Sequence, residues 1–409
     1  MGEKGGAPIY GAASMGLGYT RQLASFVSRV RFEVLPSDIL PAARRGVLDW
    51  MGCAVAGSIH PSVDILVRTV SAIAGNAGVI GKSLHLGMFE AALANGQMGH
   101  VLDFDDTHMA GVILHASSPI LAALLALSSA HRISGRDLVL AYALAFDVSV
   151  RAGQAAPLHH AGGWHLTGTL GSIAAGVAVA KALDLDATRM VNAVALAATQ
   201  AAGMQQNRGT MAKSLHAGKA AANGLLAGLL AANGYDGSDE SLEGRRGFCR
   251  IYSAETNEEA LVADLGTRWE ILRNGHKPYA CGVVLHPAID AMIALGRQVD
   301  TPEQVRSVKL KVNPAAVVIT GVVNPGTGLK SKFSLAHAAA VAFIDRAAGL
   351  MQFSDDRAKR PDVSAFARLV EVSTDPDLGR DQAEASVELV TGEVVSHRVE
   401  HATGTAANP

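Results

Sequence analysis

Aromatic side chains are scarce in this sequence, 5% of its 409 residues, so large rings cannot be the main filling of its interior. Cysteine is scarcer still. Cys53, Cys249 and Cys281 stand far apart, with no CxxC pair to suggest a zinc or redox motif and no even set to suggest a disulfide framework. A reducing, cytoplasmic compartment is the expectation that follows. Neither sign of charge dominates. Lys and Arg number 35 against 37 Asp and Glu, a formal net charge of −2, and there is no arginine-rich run or basic face, so nucleic acid is excluded as a partner. Long apolar runs are missing as well. Stretches such as PILAALLAL, from Pro119, are about half the ~20 residues needed to span a bilayer, and no membrane segment is expected. Residues 1–18 are Gly-rich, lack both the apolar core of a signal peptide and the arginines of a transit peptide, and read as a disordered leader.

What remains is a chain that is 49% hydrophobic and 18% charged, which is a globular composition. Alanine and glycine are plentiful, so helix backbones are expected to approach closely. Over 19–266 one helical period follows another, as in RDLVLAYALAFDVSVRAG and TLGSIAAGVAVAKALDL, several of them apolar nearly all round as buried helices are. Over 267–400 the texture changes. VRSVKLKVNP alternates like a strand, ASVELVTGEVVSHRVE reads as a hairpin turning at Thr391-Gly392, and SKFSLAHAAAVAFIDRAAG and SAFARLVEV read as helices between them. The fold class is therefore mainly α: a large all-helical domain plus a smaller α+β domain, with 401–409 a loop-like ending. One near-miss is set aside: NAGVIGKS departs from a P-loop at Asn76 and follows a helical segment.

The chemistry concentrates in HVLDFDDTHMAGVILHASSP, His100 to Pro119, where three aspartates, a threonine and three histidines lie between apolar segments. Taken singly, its members have ordinary readings: a solvated helix end for Asp103, Asp105 and Asp106, a satisfied core histidine for His115. Their shared context says more. His115 precedes Ser117-Ser118-Pro119, His165 precedes Leu166-Thr167-Gly168, Lys213 precedes Ser214, and His286 precedes Pro287, each a helix start by its capping residues. Four cationic or cationisable side chains thus sit where unpaired N–H groups and the positive end of a helix dipole favour an anion. If they converge, they form a site for a small di- or tricarboxylate. Histidines, a lysine and an aspartate are suitable parts for abstracting a proton next to a carboxylate, and cations stabilise the charge that develops. No cofactor and no metal are implied by this reading.

GHVLDFDDTH…HASSP, GWHLTGTLG, GTMAKSLHAGKAAANG and KPYACGVVLHPAIDA, in this order and at these spacings, resemble the MmgE/PrpD family, which includes 2-methylcitrate dehydratase, cis-aconitate decarboxylase and iminodisuccinate epimerase. The resemblance runs from about Tyr19 to the end. It implies a helical large domain, a smaller α+β lid, a homodimer, a site in the cleft between domains, and cofactor-independent lyase or isomerase chemistry on small polycarboxylates by dehydration, decarboxylation or epimerisation. By motif it implies catalytic roles for His165, Asp103, Lys213 and His115, with His165 and Asp103 moving protons, and substrate binding by Thr107 and His286, with His108 a further candidate. Departures are Ala116 and Ser214 where such chains commonly have proline, and His337 where a tyrosine is frequent. Residues 401–409 read as cut short of the helical segment with which such chains return to the large domain. Two other readings are open: a metal-dependent helical hydrolase using His100, Asp103, Asp106 and His108, and a carboxylate-binding member of the family without activity.

Overall fold

The computed structural model describes residues 18–409; the leader read at 1–18 lies, save for Gly18, outside the described residues. The chain is mainly helical with small sheets and divides into two compact units. Among the described residues, one holds 18–100, His108–Gln206 and Ser214–Asn274; the other holds Val101–Thr107, Asn207–Lys213 and Gly275–Pro409. The short pieces 101–107 and 207–213 carry Asp103, Thr107 and Lys213 into the second unit, an arrangement no single cut along the sequence describes.

The first unit is built from helices α1 (Tyr19–Arg29), α2 (Ile39–Gly57), α3 (Pro61–Val70), α4 (Met88–His100), α5 (Ser117–Leu127), α6 (Gly135–Ala155), α7 (Leu166–Ala182), α8 (Ala187–Ala198) and α9 (Met211–Ala232), the last belonging to it from Ser214 on. Helix α7 is buried from Leu166 to Lys181 and packs against α5, α6 and α8. Small residues make this possible. A β-carbon added at Gly96 of α4 would lie 2.8 Å from the Gly218 Cα of α9, and one at Gly224 would lie 2.5 Å from the Gly176 nitrogen of α7. The scarcity of aromatic rings is thus matched by backbones in near contact. Helix α6 is long and apolar enough to cross a membrane, but 89% of its most apolar window is buried in the protein.

The first unit is not wholly helical. Ala74–Gly78 and His85–Leu86 form a small antiparallel pair, in the Gly-rich stretch where no helical period operates. Asn76, the residue that spoils the P-loop pattern, lies in the first of these strands. Beyond α9 the helical period also lapses, leaving turns and short helices such as Phe248–Tyr252.

The second unit carries a four-stranded sheet in the order Val370–Thr374, Val305–Val312, Ala383–Leu389, Val394–Val399. The first two strands pair in parallel and the others antiparallel, with the hairpin turning at Gly392 (φ 89°) as its sequence indicates. Val308, Leu310 and Val312 alternate with exposed lysines and are buried, as are Ala383, Ala385 and Val387 on the neighbouring strand. Helix His286–Gly296 packs on the last two strands and against Leu335–Asp345. One expectation fails here. SAFARLVEV is helical only to Ala367; from Val370 it becomes the edge strand. The run Val-Glu-Val-Ser-Thr favours an extended chain, and pairing with Val308–Val312 outweighs the helical period read before it.

Candidate active site

Each of the four helix-start cations lies at or beside a helix start, but not by the capping expected. His165 occupies the N-cap position of α7, Lys213 lies in the first turn of α9, and His286 opens its helix with Pro287 next. His115 precedes α5, whose N-cap position is Ala116. Ser117 and Ser118 are already helical and do not cap. The Ser117 hydroxyl meets the Tyr142 hydroxyl at 2.5 Å, and Ser118 donates to the Gly96 carbonyl at 2.8 Å. Ser214 likewise lies inside α9.

In the second unit the side chains gather around Asp103. This residue holds a left-handed backbone conformation (φ 51°), which aspartate tolerates better than most, and is buried. Its Oδ1 accepts from Lys277 Nζ at 2.5 Å and its Oδ2 from Lys213 Nζ at 2.9 Å. Lys277 also donates to the Asp103 and Cys281 carbonyls, both at 3.0 Å. Lys332 Nζ is held by the carbonyls of Leu102 (2.8 Å) and Ala280 (2.6 Å). The Asp103 carboxylate therefore serves two ammonium groups, a third lysine is hydrogen-bonded by carbonyls, and the buried carboxylate of Asp105 adds its attraction to Lys213 and Lys277.

The lysines respond differently to this setting. Burial pulls Lys213 below its ordinary value against the attraction of Asp103, and pulls Lys332 down to about 8. Burial opposes the charged form of Lys277 too, but Asp103 and Asp105 outweigh it and hold that ammonium above its ordinary value. Burial, aided by Lys277, pushes His286 down to about 3, so the imidazole is neutral near pH 7 and offers a hydrogen bond rather than a charge. This corrects its expected cationic part. Its ring lies edge-on to Tyr279, whose hydroxyl donates to Asp290. Thr107 is buried, its hydroxyl 3.3 Å from the Asp105 carbonyl.

In the first unit four histidines form a chain of ring contacts. The His100 ring centroid lies 4.6 Å from that of His115 and 5.6 Å from that of His165. His165 Nδ1 faces His216 Nδ1 at 2.9 Å, a hydrogen bond in which one nitrogen carries the proton and the other accepts it. The His115 amide donates to the Thr167 hydroxyl (3.3 Å), and the His165 amide to the Gly203 carbonyl (3.0 Å), fixing both backbones.

His108 belongs to neither group. Its Nδ1 meets the Val112 carbonyl at 3.0 Å and its Nε2 meets Glu270 Oε2 at 3.1 Å, both partners buried. Burial would raise the Glu270 carboxyl, but the bond and charge of His108, with Gln154 and Arg273, hold it down at about 2. With both ring nitrogens engaged, His108 is a structural tie; the expectation that it binds substrate is dropped. The same engagement weakens the metal reading. His108 has no free lone pair to offer, and Asp103 faces two ammonium groups, so half of the set His100, Asp103, Asp106 and His108 is committed elsewhere.

Lys277, Lys332 and His216 were not singled out from the sequence. His216 stands three positions after Lys213 on the same helix, a spacing that shares a face, and Lys277 opens the stretch that contains His286. Nothing local marks Lys332.

Residues 21–260 match the MmgE/PrpD N-terminal domain and residues 279–409 the MmgE/PrpD C-terminal domain. A cis-aconitate decarboxylase of Aspergillus terreus is 30% identical, the alignment covering 95% of this chain and 86% of that protein. Cis-aconitate decarboxylases of Mus musculus and Homo sapiens are 26% and 24% identical, over 88% of this chain in each case and 76% and 77% of theirs.

Proposed function

The chain belongs to the MmgE/PrpD family, and on that premise we propose that it is a lyase that decarboxylates a small unsaturated tricarboxylate of the cis-aconitate type. The observation that carries this reading is the set of lysines, Lys213, Lys277 and Lys332, gathered around Asp103. In the second unit Lys213 and Lys277 engage substrate carboxylates and the neutral His286 and Thr107 add hydrogen bonds; the proton transfer that the family resemblance implies is given to His165 of the first unit. Asp103 takes a different task from the proton transfer first expected. With both oxygens already accepting from ammonium groups, it is the counter-charge that holds two lysines in place.

The chemistry balances without an oxidant. The bond to one carboxylate carbon breaks and CO2 leaves. The electron pair spreads over the remaining unsaturated acid, where fixed cations stabilise it, and a proton delivered to carbon completes a dicarboxylate one carbon shorter. No redox cofactor is called for.

Incubation of the purified protein in D2O with cis-aconitate, citrate and 2-methylcitrate, followed by NMR, tests the proposal. The expected outcome is loss of cis-aconitate with CO2 release and one deuterium in the product, the hydroxy acids remaining unchanged. Dehydration of either hydroxy acid in place of decarboxylation would overturn it. A folded His165→Gln variant is expected to lose at least about 100-fold in turnover.

A further inference from the structure

Two arginines and an aromatic wall share a cavity that the chemistry proposed above does not use. The end of α8 and the chain from Gly237 to Tyr252, all in the first unit, line a surface cavity of about 890 Å3, a volume within the roughly 300–1,000 Å3 of small-molecule sites. We propose that it is a second binding site, for a small organic phosphate: Arg245 and Arg246 hold the phosphate, and the ring or apolar body of the ligand lies on Phe248, Ile251 and Tyr252.

The phosphate end follows from charge that nothing else uses. Arg245 and Arg246 are exposed, and among the described residues neither forms an ion pair or a side-chain hydrogen bond. Glu240 is the only acidic residue in the lining, and it pairs with neither. Glu243, close by in sequence, is committed to the amide and hydroxyl of Thr20. Gly247 donates to the Gly244 carbonyl at 2.7 Å, closing a tight turn with the two arginines at its central positions. The turn is anchored, because the Phe248 and Cys249 amides donate to the Ser241 and Leu242 carbonyls at 2.9 and 3.0 Å. A β-carbon on Gly247 would lie 2.7 Å from the Leu242 carbonyl oxygen, so the turn needs glycine there. The Ser241 hydroxyl, on the same cavity, is buried and among the described residues has no hydrogen-bond partner. Such a group costs stability until a partner reaches it. Two guanidiniums, each a planar fork of N–H donors, match the oxygens of a phosphate dianion.

The wall selects against a ligand that is polar throughout. The Phe248 and Tyr252 rings stack at 4.6 Å between centroids with their planes 23° apart, and Ile251 on the same short helix is 63% exposed. The wall is backed from within. The Trp164 ring lies 4.7 Å from that of Tyr252, and the Tyr252 hydroxyl donates to the Ala201 carbonyl. An apolar body covering this surface removes it from water. A tricarboxylate would leave it bare.

Isothermal titration calorimetry of the full chain at constant ionic strength tests the site with adenosine monophosphate, phenyl phosphate and inorganic phosphate. The two esters are expected to bind with a Kd of about 1 mM or tighter. Inorganic phosphate, which cannot use the wall, is expected to bind at least about 10-fold more weakly. The double variant Arg245→Ala, Arg246→Ala is expected to weaken both esters at least about 10-fold. Ile251→Asp, which puts a carboxylate on the wall, is expected to weaken them as well. All three positions are exposed, so both variants are expected to keep a Tm near that of wild type. No binding of either ester up to about 10 mM, an ester affinity unchanged by removing both arginines, or inorganic phosphate bound as tightly as phenyl phosphate overturns the proposal.

Discussion

Asp103 shows how one residue can be chosen for backbone and charge together. At φ 51° a β-carbon is strained unless the side chain is short and polar, and here that side chain is also the anion between Lys213 and Lys277. Asp103→Ala removes both properties and leaves the buried Lys277 and the largely covered Lys213 without the anion they share. Removing one partner of a buried pair costs ~3–5 kcal/mol, and urea denaturation of Asp103→Ala is expected to show a loss of that order. Asp103→Asn keeps the backbone preference and should lose less; an alanine variant as stable as wild type would refute the role. His159 makes a second case. It is buried among Trp164, Phe248 and Tyr252, with neither ring nitrogen hydrogen-bonded, and burial, aided by His160, pushes it down to about 3. Its folded pKa is therefore below its unfolded one. Between pH 6.5 and about 3 the unfolded chain takes up the proton first, so stability falls as pH falls. At pH 5 the deficit is about 2 kcal/mol. His159→Phe is expected to raise Tm at pH 5 by clearly more than at pH 8, and equal shifts at both would show that this histidine is not the cause.

Among the elements, the two glycines Gly96 and Gly52 separate packing from propensity. A methyl on Gly96 would lie 2.8 Å from the Gly218 Cα and 3.0 Å from the Ala217 carbonyl oxygen, both backbone atoms that cannot swing aside, so α4 and α9 would have to part. Gly52, on the exposed side of α2, has nothing within 4 Å of the same position. Gly96→Ala is expected to cost ~1–3 kcal/mol, and Gly52→Ala to gain ~0.5–1 kcal/mol; denaturation midpoints of the two variants check both, and a neutral Gly96→Ala would mean that the helices are not in close contact. The same scale shows what sequence could convey. Helix periods, the strand at Val305–Val312 and the turn at Gly392 depend on neighbours in the chain and were legible. Ser117 and Ser118 have the composition of a cap, yet their hydroxyls meet Tyr142 and the Gly96 carbonyl, partners 25 and 22 residues away. Val370–Thr374 turned out to be a strand because of a partner far off in sequence. Local preference gave way wherever tertiary pairing competed with it.

For the whole molecule, residues such as Asp103, His115, His165, Lys213 and His286 could be picked out because each sits in a local pattern, a helix start or a polar break in an apolar run. Lys277, Lys332 and His216 acquire meaning only from folding, as partners of those residues. Composition had a further message at this scale: three cysteines and no pairing pattern. Among the described residues none is in a disulfide, and all three are buried. Burial pushes both Cys249 and Cys281 up to about 12. The thiolate is the reactive form, so at pH 8 each carries it in only about 1 part in 10⁴, and access is blocked as well. Labelling must therefore wait for the surrounding structure to open. Cys249 lies in the helical unit and Cys281 in the unit with the four-stranded sheet, so the two thiols report on different parts of the molecule. Maleimide labelling at pH 8, read peptide by peptide by mass spectrometry over increasing urea, is expected to show both protected in native buffer and each modified only as its own unit unfolds. Modification of Cys281 in native buffer at the rate of a small-molecule thiol would mean that the helix start at His286, and with it the lysine cluster around Asp103, is open to solvent in a way this packing forbids.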